Sequence, residues 1–454
     1  MKTSLAHTTL VVLLSLSGPT HANDVAPVSP TLRASIPDAS DAQPRATAAR
    51  AVTPKATSDE PRLPELFHAY VSVAQELTPV LGIDDVKSRI QKLVRFEFSD
   101  ETQKKLIALF ANAHPLHLTT KTLTRGDAQV SFAVDALEHK NATTGTTLRT
   151  PTLSGTAVYS QHYTKEHTAT RLPWMIFGDS QTLVAARDFS YITDRRLGAG
   201  GLWLGTGVAK LDQLTIDAAK SLHLKFDALS SKAEIASHGK LVDLYSDSAV
   251  QSINWGSDGL GPLHLTYRVT NIDAKALADL AAKVKAMNIS DPSDAQNRAA
   301  VVGTFKAFGL ATLTHGAVID IQDASLQYHG MTAGLNGRIT FDNIQESDFE
   351  TPKLIIDKIK AHFEVHVPVA LVGDVSRAFA RSSLQTKHKG GAPVTESDVD
   401  SLAKPMVDKL IDKALKEKWI RIENNTILST IEFGMGKLSV NGKTLALPGV
   451  TPQP

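Results

Sequence analysis

From residue 116 onward, apolar and polar side chains alternate in stretch after stretch, the period of a strand with one face buried and one face wet. Leu116 and Leu118, then Val130, Phe132 and Val134, then Leu222, Leu224 and Phe226 follow it. Leu263, Leu265, Tyr267 and Val269 alternate with His264, Thr266, Arg268 and Thr270. Leu335, Ile339 and Phe341 alternate with Asn336, Arg338 and Thr340. Ile359, Ala361, Phe363, Val365 and Val367 alternate with Lys360, His362, Glu364 and His366. Asn441-Gly442, set between Leu438, Val440 and Leu445, Leu447, predicts a hairpin, because an Asn-Gly pair readily takes the positive φ angles of a type I′ turn.

Before residue 116 the period is helical. Leu66, Tyr70, Val73 and Leu77 predict one helix, broken at Pro79 and Gly82; Val86, Ile90 and Leu93 predict a second. A third opens at Ser99, a suitable N-cap, and carries Leu106, Leu109 and Phe110, with Pro115 closing the region. Three more helices interrupt the strands. Asp273 can cap one carrying Leu277, Leu280, Ala281 and Val284. Ser293 and Gln296 have capping-box spacing before Val301, Phe305 and Phe308, with Gly309 as the expected stop. Val407, Leu410, Ile411, Ala414 and Leu415 mark the last, with Pro405 expected in its first turn or at a kink. The fold class is therefore α+β: long antiparallel β-sheets with packed amphipathic helices, elongated, after a helical N-terminal segment.

The beginning of the chain reads differently. Lys2, the apolar run 8–16, the Gly18-Pro19 break and Thr20-His21-Ala22 form the pattern of a cleavable signal peptide over residues 1–22. That run is too short to span a bilayer, which takes roughly 20 apolar residues, and no later stretch is long and apolar enough. Residues 23–62 are rich in Pro and Ala, carry few large apolar side chains and predict a disordered linker. The expected organisation is thus a leader at 1–22, a linker at 23–62, helices over 63–115 and a β-rich body over 116–450, either one continuous body or two lobes divided near 290.

Composition narrows the chemistry. Lys and Arg number 48 against 47 Asp and Glu, so nothing sequence-wide points to nucleic acid as partner. The chain has no cysteine, which excludes disulfides, thiolate catalysis and Cys-bound metal. The expected location is the periplasm.

One stretch carries a resemblance. Gly261-Pro262-Leu263 leads a strand into Asn271-Ile272-Asp273-Ala274, a helix start. Farther on, an amphipathic strand ends in Val367-Pro368 before a helix, and Gly436-Lys437-Leu438-Ser439-Val440-Asn441-Gly442-Lys443 closes the chain. These features, over roughly 170–447, resemble the YdgA-like envelope proteins of Gram-negative bacteria, a family of unknown function. The resemblance implies an envelope location and an elongated β-rich body, and it supplies no catalytic residues to carry over.

Candidate chemistry is sparse. His362, Glu364 and His366 share one face of a strand and could converge on zinc, although the same face reads as simple solvation. His114 with His117, and His162 with His167, form looser pairs. Ser401 and Lys404 have Ser-x-x-Lys spacing at a helix start, without the companion elements of a serine acyltransferase. Gly198, Gly200, Gly201, Gly205 and Gly207 surround Leu202-Trp203-Leu204 without the Gly-Lys-Ser/Thr ending of a phosphate loop, which predicts bulges or a tight turn. Gly178-Asp179-Ser180 comes nearest to a nucleophile elbow, but Thr182 replaces the second glycine. Trp174, Trp203, Trp255 and Trp419 read as core or as the lining of an apolar groove. The expectation is an exported envelope protein acting as a non-catalytic scaffold or binding module for a lipid, a hydrophobic peptide or another envelope protein. It names no catalytic residue, cofactor or metal. The alternative is a periplasmic metal-dependent or serine hydrolase.

Overall fold

The computed structural model describes residues 64–83, 85–179, 181–198, 201–218, 222–255, 258–286, 295–387 and 394–445. The expected leader and linker lie outside these residues, as do Gly200, Ser180, Ser293 and the boundary near 290.

Among the described residues three helices come first: α1 (Pro64–Leu81), α2 (Val86–Val94) and α3 (Asp100–Phe110). Asp85 caps α2 by accepting from the Ser88 amide at 2.7 Å, and Ser99 caps α3 by accepting from the Thr102 amide at 3.3 Å. Helix α1 runs through Pro79 to Leu81, so the expected break there is absent. A proline near a helix C-terminus still costs an internal hydrogen bond, yet Leu77 buried against Phe98 and Leu106 holds that turn.

Among the described residues nineteen strands then form one sheet in which every pairing is antiparallel. They are β1 (Leu116–Thr122), β2 (Ala128–Val134), β3 (Leu137–Lys140), β4 (Thr147–Thr150), β5 (Leu153–Tyr159), β6 (Lys165–Gly178), β7 (Thr182–Leu197), β8 (Trp203–Ala218), β9 (Leu222–His238), β10 (Leu241–Trp255), β11 (Asp258–Leu260), β12 (Leu263–Asp273), β13 (Val318–Tyr328), β14 (Met331–Phe341), β15 (Ile359–Pro368), β16 (Arg421–Glu423), β17 (Thr426–Gly434), β18 (Lys437–Val440) and β19 (Lys443–Leu445). The spatial order is β1-β2-β5-β6-β7-β8-β9-β10-β12-β13-β14-β15-β17-β18-β19. β4, with β3 outside it, lies beside the far half of β6; β11 adds to β10 and β16 to β17. Asn441 and Gly442 take φ of 49° and 77° between β18 and β19, the expected hairpin.

Helices α4 (Ala274–Ala286) and α5 (Ala295–Thr314) follow β12. Asp273 caps α4, its carboxylate accepting from the Ala276 amide at 2.6 Å. Helix α5 continues past Gly309 to Thr314, and the chain turns at Gly316 instead, where φ is 68°. A short α6 (Pro352–Asp357) precedes β15, and α7 (Val369–Lys387) with α8 (Glu396–Lys416) makes an antiparallel hairpin after it. Thr395 and Asp398 form a capping box that starts α8 nine residues ahead of Pro405, which therefore sits mid-helix.

Buried side chains gather where the helices meet the sheet. Val86 and Ile90 of α2 pack on Val130, Ala157, Tyr159 and Trp203, while Leu66 and Ala69 of α1 and Leu109 of α3 pack on Leu137 and Leu148. Each buried Val, Ile or Leu among them contributes roughly 1.5–3 kcal/mol. A smaller core joins Leu202, Leu204, Val242, Leu244 and Ile272 under α4 and α5. By contrast, among the described residues no apolar side chain in 205–241 or 245–271 is buried. At their ends nearest α4 and α5 these stretches pack on the second core through Ile235, Tyr267 and Val269, whereas no cluster of buried apolar residues covers their middle.

Candidate functional site

A line of interrupted pairing crosses the long strands. Cα pairing is regular on both sides of it but lapses at Pro173 of β6, Asp188 of β7, Asp212 of β8, Ala228 of β9 and Gln251 of β10. Asp188 and Ala228 take φ of 50° and 48°, a left-handed conformation that costs a residue with a Cβ roughly 1–2 kcal/mol. Apolar positions step by three across the line: Leu172 to Met175, Phe189 to Ala186, Leu211 to Leu214, Leu229 to Phe226, Val250 to Ile253. On β6, Met175 packs both with the cluster of Phe132, Leu153 and Leu172 and with that of Leu66 and Leu109. Leu172 and Met175 therefore present to the same side although three residues apart, so the interruption resets the alternation.

Two apolar rows border this line. Leu172, Phe189, Leu211, Leu229, Val250, Leu263 and Leu326 stand directly opposite one another from β6 to β13. On the other side run Met175, Ala186, Leu214, Phe226, Ile253 and Leu260. The first row is buried at Leu172 and 37 % exposed at Leu326, with Leu265 beside it 41 % exposed. From Leu211 to Leu326 it crosses four strand spacings, about 19 Å. The result is an apolar band that begins in the core and continues across the uncovered sheet.

The residues singled out by sequence chemistry lie elsewhere. His362 Nε2 is 3.6 Å from Glu364 and its Nδ1 is 3.6 Å from Glu432, all three well exposed. His366 lies across Gly334 on the neighbouring strand, close enough that a Cβ there would meet the ring. Among the described residues no three His, Asp or Glu side chains are arranged to hold a metal ion. Ser401 donates to the Ser397 carbonyl at 2.7 Å, a bond along its own helix. His117 pairs with Asp135 at 2.8 Å and His167 with Asp194 at 2.7 Å, carboxylates far away in sequence. Gly205 closes onto the Asp194 carbonyl of the adjacent strand, and Gly198 donates to Leu202 in the β7–β8 turn, which accounts for the glycine cluster. Trp203 is core, whereas Trp174 and Trp419 are 37 % and 39 % exposed.

Two polar constellations were not legible in the sequence. His264 bridges three strands: Nδ1 meets Asp323 and Nε2 meets Asp247, each at 2.8 Å. Hydrogen bonds to Asp323 and then Asp247 raise its pKa above the usual histidine range. Second, Arg195 Nη2 donates to Glu166 Oε1 at 2.7 Å with both side chains 2 % exposed. Thr168 donates to the same oxygen at 2.6 Å, and the guanidinium lies 5.7 Å from the Trp203 ring centre. Burial first, then the nearby Glu166 charge, pushes the Tyr159 hydroxyl up. On the side facing away from α2, a groove of about 600 Å³ is floored by small residues including Ser131, Ser154, Thr156 and Ser190.

Among the described residues no helix is long and apolar enough to cross a membrane. No curated protein and no solved structure matches the chain. Residues 90–448 match a family described as "Bacterial protein of unknown function (DUF945)", reaching well ahead of the roughly 170–447 expected from the sequence motifs. With most of its length covered by that match, the chain belongs to the DUF945 family of bacterial proteins.

Proposed function

We propose that the chain is a non-catalytic binding module of the bacterial cell envelope, exported to the periplasm, that holds a lipid or hydrophobic peptide along the apolar band. The observation that carries this reading is the row Leu211, Leu229, Val250, Leu263 and Leu326, aligned across five strands, half-buried over its first four members and exposed at the last. Isolated exposed apolar residues need no explanation, but a continuous apolar strip on a soluble surface marks a contact site. Backbone strain at Asp188 and Ala228 sits beside the same strip, and strain of this kind persists where function retains it. The hydrolase alternative draws less support, because the His362 and Ser401 groups lie on exposed strand and helix surfaces and engage their own neighbours.

The test is titration of delipidated protein with a fluorescent fatty acid. The reading predicts saturable binding that Leu211→Ser and Leu326→Ser each weaken by about tenfold, the order expected from losing a buried leucine contact. Binding that never saturates, or is indifferent to both substitutions, would overturn it.

A further inference from the structure

The α7–α8 hairpin segregates its charges from its apolar side chains. On one side Arg377 Nε donates to Asp400 at 2.7 Å and Arg381 Nη2 to Glu396 at 2.7 Å. Between the helices Ala380, Val399 and Ala403 are buried together. The side away from the ion pairs carries Val375 and Phe379, one turn apart on α7, and Leu402 and Met406, one turn apart on α8. Phe379 is 63 % exposed, Val375 52 % and Leu402 42 %.

The stripe on α8 does not end at Met406. Positions 402, 406, 409 and 413 follow at spacings of four, three and four, so Lys409 and Lys413 prolong the same helical face. Asp408 and Asp412 fall off that face by the same geometry. Asp398, the acidic residue nearest to it, is turned to the helix start, where its carboxylate accepts from Thr395. The outward side of the hairpin is thus apolar along most of its length and cationic at one end, with the acidic groups drawn elsewhere.

We infer that this side of the hairpin docks on an anionic lipid surface. Phe379, Val375, Leu402 and Met406 enter between the acyl chains at the headgroup boundary, and Lys409 and Lys413 meet lipid phosphates. This is how an amphipathic interfacial helix binds without spanning. A second copy of the chain fits less well, because the same stripe on a two-fold partner offers no carboxylate to Lys409 and Lys413. The inference rests on the helical hairpin alone and stands apart from the ligand assigned to the sheet.

Co-sedimentation of the whole chain with vesicles tests it. Binding is expected to vesicles of phosphatidylglycerol mixed with phosphatidylcholine, and much less to phosphatidylcholine alone. Lys409→Ser/Lys413→Ser should weaken binding roughly thirtyfold, from about 1 kcal/mol for each lysine near an anionic surface. Phe379→Ser/Leu402→Ser should weaken it by about tenfold or more, and the exposure of both residues leaves folding intact. Failure of the unaltered chain to bind, equal binding to both vesicle types, or binding unmoved by either double variant overturns the inference. So does light scattering that shows a dimer abolished by Phe379→Ser/Leu402→Ser, which would assign the stripe to self-association.

Discussion

Strands β1 to β7 and the middle of strands β8 to β13 are made of the same alternating chemistry, yet they end up in different environments. Strands β1 to β7 lie under α1, α2 and α3, and Val130, Phe132, Leu137, Leu153 and Leu172 are buried. From β8 onward the rows continue in register, but Leu211, Leu229, Val250 and Leu263 are only half-buried and Leu265 and Leu326 are exposed. Alternation thus decides which way a side chain points; whether a second layer waits there is decided by where the helices fall. The covered half has the anatomy of a core. The middle of β8 to β13 keeps an apolar surface that the described residues do not fully bury.

The sharpest way to break this contrast is at the buried ion pair of the covered half. Glu166→Leu or Arg195→Met alone should cost about 3–5 kcal/mol, because each strands a buried charge, while the double replacement should come close to neutral. Urea unfolding of the three variants against the unaltered chain measures this. If the single variants lost little, the pair would be solvated and the covered half looser than described. Next in size is a matched truncation. Leu153→Ala in the covered half should cost about 2–5 kcal/mol, and Leu265→Ala in the uncovered half less than about 1 kcal/mol. Equal costs would place a hidden layer over the band.

Smaller effects sharpen the picture of the sheet itself. Ala228→Gly removes the Cβ from a left-handed position and should stabilise the chain by about 1 kcal/mol, measured as a shift of the urea midpoint. A loss of stability instead would show that the interrupted pairing line is not strained. The smallest effect concerns His264, flanked by Asp247 on β10, Asp323 on β13 and Thr266 on its own strand, with Lys232 of β9 opposite Asp247. Its folded pKa is raised, so its stabilising contribution is complete below the unfolded value near 6.5 and fades as pH rises through the folded value. His264→Asn should remove that part of the pH dependence and leave the rest. An identical pH profile for the variant would show that the bridge does not form.

Much of the fold was legible in the residues, and the failures have physical causes. Caps at Ser99 and Asp273, the Asn441-Gly442 turn and the alternation in β12, β14 and β15 are local signals, and the structure uses them as such. The lengths of β6, β7, β8 and β10 were hidden, because their apolar positions step by three at the interruption and mimic a helical period over a short window. Gly309 misled because helix packing overrides a single unfavourable residue, and of the two places expected for Pro405 the first turn is not the one it takes. The Glu166–Arg195 pair joins residues on adjacent strands, and neither position is marked in sequence. The His362 face was correctly placed on one side of its strand, but spacing alone could not tell that Glu364 and Glu432 sit on either side of it without a common centre.

The absence of cysteine makes the central claim directly measurable. Leu153→Cys, Leu265→Cys and Leu326→Cys, each made singly, can be titrated with a maleimide under native conditions and again in denaturant. An open band predicts fast native labelling at positions 265 and 326, near the rate of the unfolded chain, and protection at 153 until unfolding. Protection at 265 and 326 comparable to that at 153 would mean that the sheet is covered there, and the account would fail.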